Sequence, residues 1–327
     1  VKAGPAQNQA AGRDQLVSHA GAAIRQGSKS FAAASRLFDR TTRERAWLLY
    51  AWCRRCDDLI DQQDHGRKRT GAIDPAVPVA TIRQRTAQGL AGDATGDPAF
   101  DGFGLVAREC GISSAMAEDV IGGFALDSAG WCPRTEADLM RYCFHVAGSV
   151  GVMMALVMGV SPDDGETLDR ACDLGLAFQL ANIARDLLED HAMQRCYLPA
   201  EWLAEADIPP GEAMKPHYRA QLLPVVARLC TLQADYEAAS RSGTARLPFR
   251  CRWAVLSATG IYGAIARGVE QAGAQAWDRR IATTDGEKTR HVLRAGWQAL
   301  INRQPAASAP AALIGRHTLM AMARTPA

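Results

Sequence analysis

The stretch "YAWCRRCDDLIDQQDH" (residues 50–65) sets Asp57 and Asp61 four residues apart, just after Arg54, in a segment otherwise rich in Trp, Leu, Ile and Cys. At about 100° per residue, Tyr50, Arg54, Asp57 and Asp61 share a stripe roughly 60° wide. Leu49, Trp52, Cys53, Cys56 and Ile60 take the other faces. A second stretch, "LGLAFQLANIARDLLEDHAMQRCYLP" (174–199), repeats the arrangement. There Gln179, Asn182, Asp186 and Asp190 fall in a stripe about 80° wide by the same rule. Leucines, Phe178 and Ile183 surround them, and a helix apolar nearly all round belongs at the centre of a fold.

Carboxylates on such helices lose hydration unless they are paired or coordinated. One solution is a network of ion pairs with Arg54 and Arg185. The other is a divalent cation. Two stripes with the same Asp spacing favour the cation: facing each other, they would form an oxygen-rich mouth for Mg²⁺, which takes one or two carboxylates together with substrate phosphate oxygens. The ligand this predicts is a diphosphate.

Around these stretches the pattern is helical almost throughout, with no convincing strand. Thr41 and Glu44 in "TTRE" read as a capping box opening the helix that carries the first stripe. Further helices are expected near 79–91, 98–110, 114–127, 135–159, 163–190, 199–206, 216–241 and 251–273, separated by Pro, Gly and Asp clusters. Residues 1–20 read as a flexible polar leader, 21–300 as one all-helical domain, and 301–327 as an Ala- and Pro-rich tail that frays. The run at 142–162 carries no Asp, Glu, Lys or Arg and is long enough for a membrane span. His145, Ser149 and its glycines favour a buried core helix instead, with Gly148 and Gly151 allowing another helix to pack closely.

Composition narrows the function classes. The 327 residues are 48% hydrophobic and 22% charged, with a net charge of +2 from 37 Lys and Arg against 35 Asp and Glu. That is a globular balance without the clustered basic face of a nucleic-acid binder, so no nucleic-acid partner is expected. The nine cysteines are odd in number and sit mostly in apolar segments, as reduced core residues do in a cytosolic protein. Cys53 and Cys56 form a lone CxxC with no second pair to complete a zinc site. No HExxH, P-loop or Rossmann glycine pattern is present, so a nicotinamide site has no support.

"GSKSFAAASRLF" (27–38), "YAWCRRCDDLID" (50–61), "RYCFHVAGSVGVMMALVMG" (141–159), "DLGLAFQLANIARDLLED" (173–190), "RCYLP" (195–199) and "VEQAGAQAWDRR" (269–280) together resemble the bacterial phytoene synthases. These belong to the head-to-head prenyl synthases, with the squalene and dehydrosqualene synthases. The resemblance implies an isoprenoid-synthase-type helical bundle around a central cavity. It makes Asp57 and Asp61 the first Mg²⁺-binding pair, and Asp186 and Asp190, with Asn182 beside them, the second. Ser28, Ser30 and Phe31 match the "SxSF" motif beside a diphosphate, Arg54 and Arg185 match arginines near the phosphates, and Gln179 is a polar neighbour of the second pair. Arg195 and Tyr197 match "RxYLP", with Arg195 a diphosphate contact. Tyr50, Tyr142 and Tyr262 line the reaction cavity, and Asp58, Asp127 and Glu189 support the ligands. Two departures stand out: Gln194 where the family usually has Gly, and Gly122 where an acidic residue is common.

The implied activity is condensation of two geranylgeranyl diphosphates, through a cyclopropyl diphosphate, to phytoene in carotenoid biosynthesis. The implied cofactor is Mg²⁺, with Mn²⁺ as a substitute and no NADPH. A related enzyme using C15 donors, and a helical protein that binds prenyl lipids without turnover, are the alternatives. A cytoplasmic protein resting on the inner face of the cell membrane, in contact with other carotenoid-pathway enzymes, suits the greasy substrate and product.

Overall fold

The computed structural model describes residues 5–61, 63–64, 67–68, 76–301 and 313–325, without the side chains of 5–11, 29–30, 63–64 and 67–68. The protein is all-α. Among the described residues the only strands are β1 (Gln63–Asp64) and β2 (Arg67–Lys68), a short antiparallel pair. The chain forms two compact units, Val1–Ala129 with Met153–Pro162, and Gly130–Val152 with Asp163–Ala327, although no break in composition marks them.

The first unit contains α1 (Pro5–Gly27), α2 (Lys29–Ala34), α3 (Arg40–Ile60), α4 (Ala76–Ala91), α5 (Pro98–Cys110) and α6 (Ser114–Ser128). Residues 1–4 of the expected leader lie outside the described residues, and residues 5–20 belong to α1. Its register is set by Ala20 and Ile24, both buried one turn apart, and by Arg13, which reaches Glu44 at 2.6 Å and Glu109 at 3.0 Å. That contact also corrects the capping assignment. Asp39 caps α3 by accepting from the Thr42 amide at 3.0 Å, while Glu44 is taken by Arg13 and Arg40. The buried face of α3 includes Leu48, Leu49, Trp52 and Cys56; Trp52 stacks on Phe103 of α5 at 4.0 Å and donates to the Thr86 hydroxyl at 3.1 Å.

The second unit holds α7 (Glu136–Cys143), a π-helical turn (Phe144–Gly148), the start of α8 (Ser149–Val157), α9 (Gly165–Ala192), α10 (Ala200–Glu205), α11 (Arg219–Ser240), α12 (Phe249–Ala272), α13 (Asp285–Ile301) and α14 (Arg316–Ala323). Helix α9 lies against α11, α12 and the π turn, the central place its apolar surround predicts. Glu136–Val157 is long and apolar enough to cross a membrane, yet 67% of its apolar window is buried inside the protein, as a core helix is. Close packing explains its glycines. A Cβ at Gly151 would stand 2.3 Å from the Ala171 carbonyl, and one at Gly175 2.3 Å from that of Ala147, so these backbones nearly touch. Of the expected tail, residues 302–312 and 326–327 lie outside the described residues; within 313–325, α14 buries Leu319 and Arg316 pairs with Asp169 at 2.6 Å.

Candidate functional site

In the first unit, the start of α2 and the last turns of α3 carry six of the expected site residues, Ser28, Phe31, Tyr50, Arg54, Asp57 and Asp61. Ser28 caps α2, its Oγ accepting from the Phe31 amide at 3.3 Å. The Phe31 ring lies 5.6 Å from that of Tyr50. A Cβ at Gly27 would stand 2.4 Å from the Tyr50 hydroxyl, so only glycine there allows this approach. Burial raises the Tyr50 pKa, with Arg54 opposing it. Arg54 then holds two consecutive carboxylates: Nη1 lies 3.1 Å from Asp57 Oδ2, and Nη2 lies 2.6 Å from Asp58 Oδ1. These two acids differ in kind. The Asp58 side chain is only 6% exposed and is a structural partner of Arg54, whereas that of Asp57 is 47% exposed. Asp61 follows as the C-cap of α3, its amide bonded to the Asp57 carbonyl at 2.9 Å. The side chain of Ser30 lies outside the described residues. Burial pushes the Cys53 thiol to about 12 and that of Cys56 well above its usual value, so this CxxC is unreactive packing.

In the second unit, α9 carries Gln179, Asn182, Asp186 and Asp190 on one face, all partly exposed. The two aspartates are about 6 Å apart along the axis. Arg185 grips Asp186 through two bonds, Nε to Oδ1 at 2.7 Å and Nη2 to Oδ2 at 2.5 Å. Burial pulls the Arg185 pKa down, and the Asp186 contact more than offsets it, leaving the guanidinium above its usual range. A third residue joins them: Arg280 lies 2.9 Å from Asp186 Oδ1 and 3.9 Å from Glu189. It was missed as a site residue in the sequence, although it ends the "WDRR" motif. Trp277 of that motif donates to the Ala184 carbonyl at 3.0 Å, which pins the segment to α9 and aims Arg280 at the carboxylate.

The aromatic residues form two sets. Tyr142 is buried, stacked on Tyr197 at 4.7 Å and on Trp131 at 5.8 Å. Tyr262 of α12 stacks on Phe178 at 4.2 Å beside Arg185, and burial raises its pKa. Arg195 begins the turn after α9, its amide bonded to the Asp190 carbonyl at 2.8 Å. Gln194 just before it has φ of +59°, the left-handed region, which accounts for the glycine usual there.

Among the described residues no three His, Cys, Asp or Glu side chains cluster as a complete metal cage. Pairs of carboxylates suit Mg²⁺, which leaves positions for water and phosphate oxygens. The residues that could hold it are Asp57 and Asp61 in one unit, and Asp186 and Asp190 with Asn182 in the other. The neighbouring guanidiniums suit a phosphate group.

The fold is that of the isoprenoid-synthase-type helical enzymes. A dehydrosqualene synthase solved with a ligand matches with a TM-score of 0.77 at 24% identity, over 88% of this chain and 98% of that one. A squalene synthase from Alicyclobacillus acidocaldarius matches with a TM-score of 0.71 at 20% identity, over 80% and 95%. The squalene/phytoene synthase family profile matches residues 24–287, and the chain belongs to that family, one of prenyltransferase-type enzymes that use prenyl diphosphates. Phytoene synthase of Pseudescherichia vulneris is 46% identical over 287 residues, 87% of this chain and 92% of that protein. The 15-cis-phytoene synthase of Pantoea ananas is 45% identical over 293 residues, 89% of this chain and 94% of that protein.

Proposed function

We propose that this protein is a phytoene synthase, joining two geranylgeranyl diphosphates head to head. What carries the reading is the α9 face, where Asp186 and Asp190 lie in line with Asn182 and Gln179 and two arginines reach Asp186, in a chain 46% identical to a phytoene synthase. Asp57 and Asp61 supply the first carboxylate pair of the family pattern, and each pair acts on a substrate diphosphate. Mg²⁺, or Mn²⁺ in its place, supplies Lewis-acid charge when bound, stabilising the departing diphosphate.

The protein's own residues carry the rest. Arg54, Arg185, Arg195 and Arg280 bind and orient the diphosphates, together with Ser28, Ser30 and Phe31 beside them. As the allylic C–O bond of one donor breaks, its electron pair leaves with the diphosphate, and the double bond of the second donor attacks the resulting cation. Proton loss closes a cyclopropane. The second diphosphate then leaves, the carbon skeleton rearranges, and a further proton loss gives phytoene without a reductant. Tyr50, Tyr142, Tyr197 and Tyr262 present aromatic faces that favour cations and exclude water, which would capture them as alcohols. The hydrocarbon product fits a cytoplasmic protein resting on the inner face of the cell membrane, within reach of other carotenoid-pathway enzymes.

The test of donor length is a competition between C15 and C20 diphosphates at equal concentration with Mg²⁺. The C20 donor is expected to be consumed in preference; faster consumption of the C15 donor would make the protein a dehydrosqualene-type synthase instead.

A further inference from the structure

Helix α13 is apolar on both sides. It opens with a reciprocal cap, the Thr284 amide donating to the Glu287 carboxylate at 2.8 Å and the Glu287 amide to the Thr284 hydroxyl at 3.3 Å. Its inner face is small: Ala295 and Ala299 are buried against Leu256 and Trp253 of α12. Trp253 donates to the Val292 carbonyl at 2.7 Å and Arg252 to the Ala299 carbonyl at 3.0 Å, so the helix is held firmly from that side. Its large apolar residues face outward. Leu293, Trp297, Leu300 and Ile301, spaced i, i+4, i+7 and i+8, are 68%, 66%, 67% and 45% exposed. They make up four of the eight exposed large hydrophobic side chains among the described residues, a cluster where scattered single residues would be ordinary.

The charge beside the stripe is mainly basic. Arg290 and Arg294 are exposed along its edge, and from Lys288 to Ile301 the helix has no Asp or Glu; Asp285 and Glu287 are confined to its first turn. The Arg252 contact sets the start of α12 beside the last turn of α13, where Phe249 adds another exposed ring. A second copy packed stripe to stripe would bring the Arg290 and Arg294 of both copies together, with Glu287 of the first turn as the one acid of this helix near Arg290. A bilayer with anionic headgroups satisfies both the apolar stripe and its basic edge.

We propose that the outward face of α13 docks the protein on an anionic lipid bilayer, with Leu293, Trp297 and Leu300 entering the acyl boundary and Arg290 and Arg294 at the headgroups. This rests on the membrane-surface reading given above and names the element responsible. The test is co-sedimentation of the full chain with vesicles of phosphatidylcholine, with and without phosphatidylglycerol, for the wild type, Leu293→Gln/Trp297→Gln and Arg290→Gln/Arg294→Gln. The wild type is expected to sediment with anionic vesicles, the apolar variant to partition at least about tenfold more weakly, and the arginine variant about fivefold more weakly per charge at low salt. Trp297 emission should shift to the blue on adding anionic vesicles, a change lost in Trp297→Phe, which keeps the helix intact. Unchanged partition of both double variants would overturn the proposal. So would a wild type that ignores vesicles but forms a dimer that Leu293→Gln/Trp297→Gln converts to a monomer, which would make the stripe an interface between copies. Turnover of detergent-dispersed geranylgeranyl diphosphate is expected to be the same in all variants. If no form turned over while stripe-dependent vesicle binding persisted, the proposed function would fall and the docking face would stand.

Discussion

Arg185 and Asp186 are neighbours in sequence and are joined at two points, 2.7 and 2.5 Å, with Arg280 on the same carboxylate at 2.9 Å. In the proposed function a divalent cation at Asp186 would compete with these guanidiniums for the same oxygens. An arginine displaced from Asp186 would be a ligand for phosphate, which would couple metal and diphosphate binding. Mg²⁺ and a non-hydrolysable prenyl diphosphate together are therefore expected to raise Tm by more than the sum of their separate shifts. Additive shifts would place the two ligands on independent sites.

The adjacent acids of α3 should separate by substitution. Asp57→Ala removes a half-exposed carboxylate paired with Arg54, so it should cost no more than about 1 kcal/mol of stability while lowering kcat by about 10²-fold or more. Asp58→Ala removes the buried partner of Arg54 and should destabilise the fold by about 2 kcal/mol or more. Denaturant melts with single-turnover assays check both. Equal effects of the two substitutions would contradict the division of roles.

Gln194 offers a backbone test. Its φ of +59° is costly for a residue with a Cβ, and the side chain is exposed. Gln194→Gly is expected to stabilise the protein by about 0.5–1 kcal/mol, the relief of strain exceeding the entropy that glycine adds to the unfolded chain. A loss of stability would mean that the Gln194 side chain makes a compensating contact.

Both polar stripes were legible because helical periodicity is local: Tyr50, Arg54 and Asp57 line up on α3, as do Gln179, Asn182 and Asp186 on α9. The close approach at Gly151 was legible for the same reason, as small residues in an apolar run. What escaped depends on distant partners. Arg13 orders the first helix through Glu44 and Glu109, 31 and 96 residues away, and Arg316 orders the last through Asp169, 147 residues away. Arg280 is aimed at Asp186 by Trp277 bonding a carbonyl 93 residues earlier. The "TTRE" cap failed because Glu44 is taken by arginines, while the reciprocal box stands at Thr284 and Glu287.

Asp173 of α9 gives the stability a pH dependence. It is 4% exposed, and burial raises its pKa to about 6 even with Arg170 at 3.0 Å. A carboxyl group whose folded pKa lies above its unfolded value favours folding fully below pH ~4 and loses that contribution as pH rises through ~6. At pH 7.5 the buried charge costs about 3 kcal/mol. Asp173→Asn is expected to gain stability relative to wild type between pH 4.5 and 7.5, measured by urea melts at each pH (roughly the window over which the group titrates). A difference independent of pH would contradict the assignment.

The decisive measurement is the product formed from purified protein, geranylgeranyl diphosphate and Mg²⁺, extracted and read by chromatography with ultraviolet absorption and mass spectrometry. A phytoene synthase should give a C40 hydrocarbon with the central conjugated triene of phytoene, in a yield unchanged by NADPH and abolished by chelation of the metal. Release of geranylgeraniol alone, or a reduced C40 product formed only with NADPH, would contradict it.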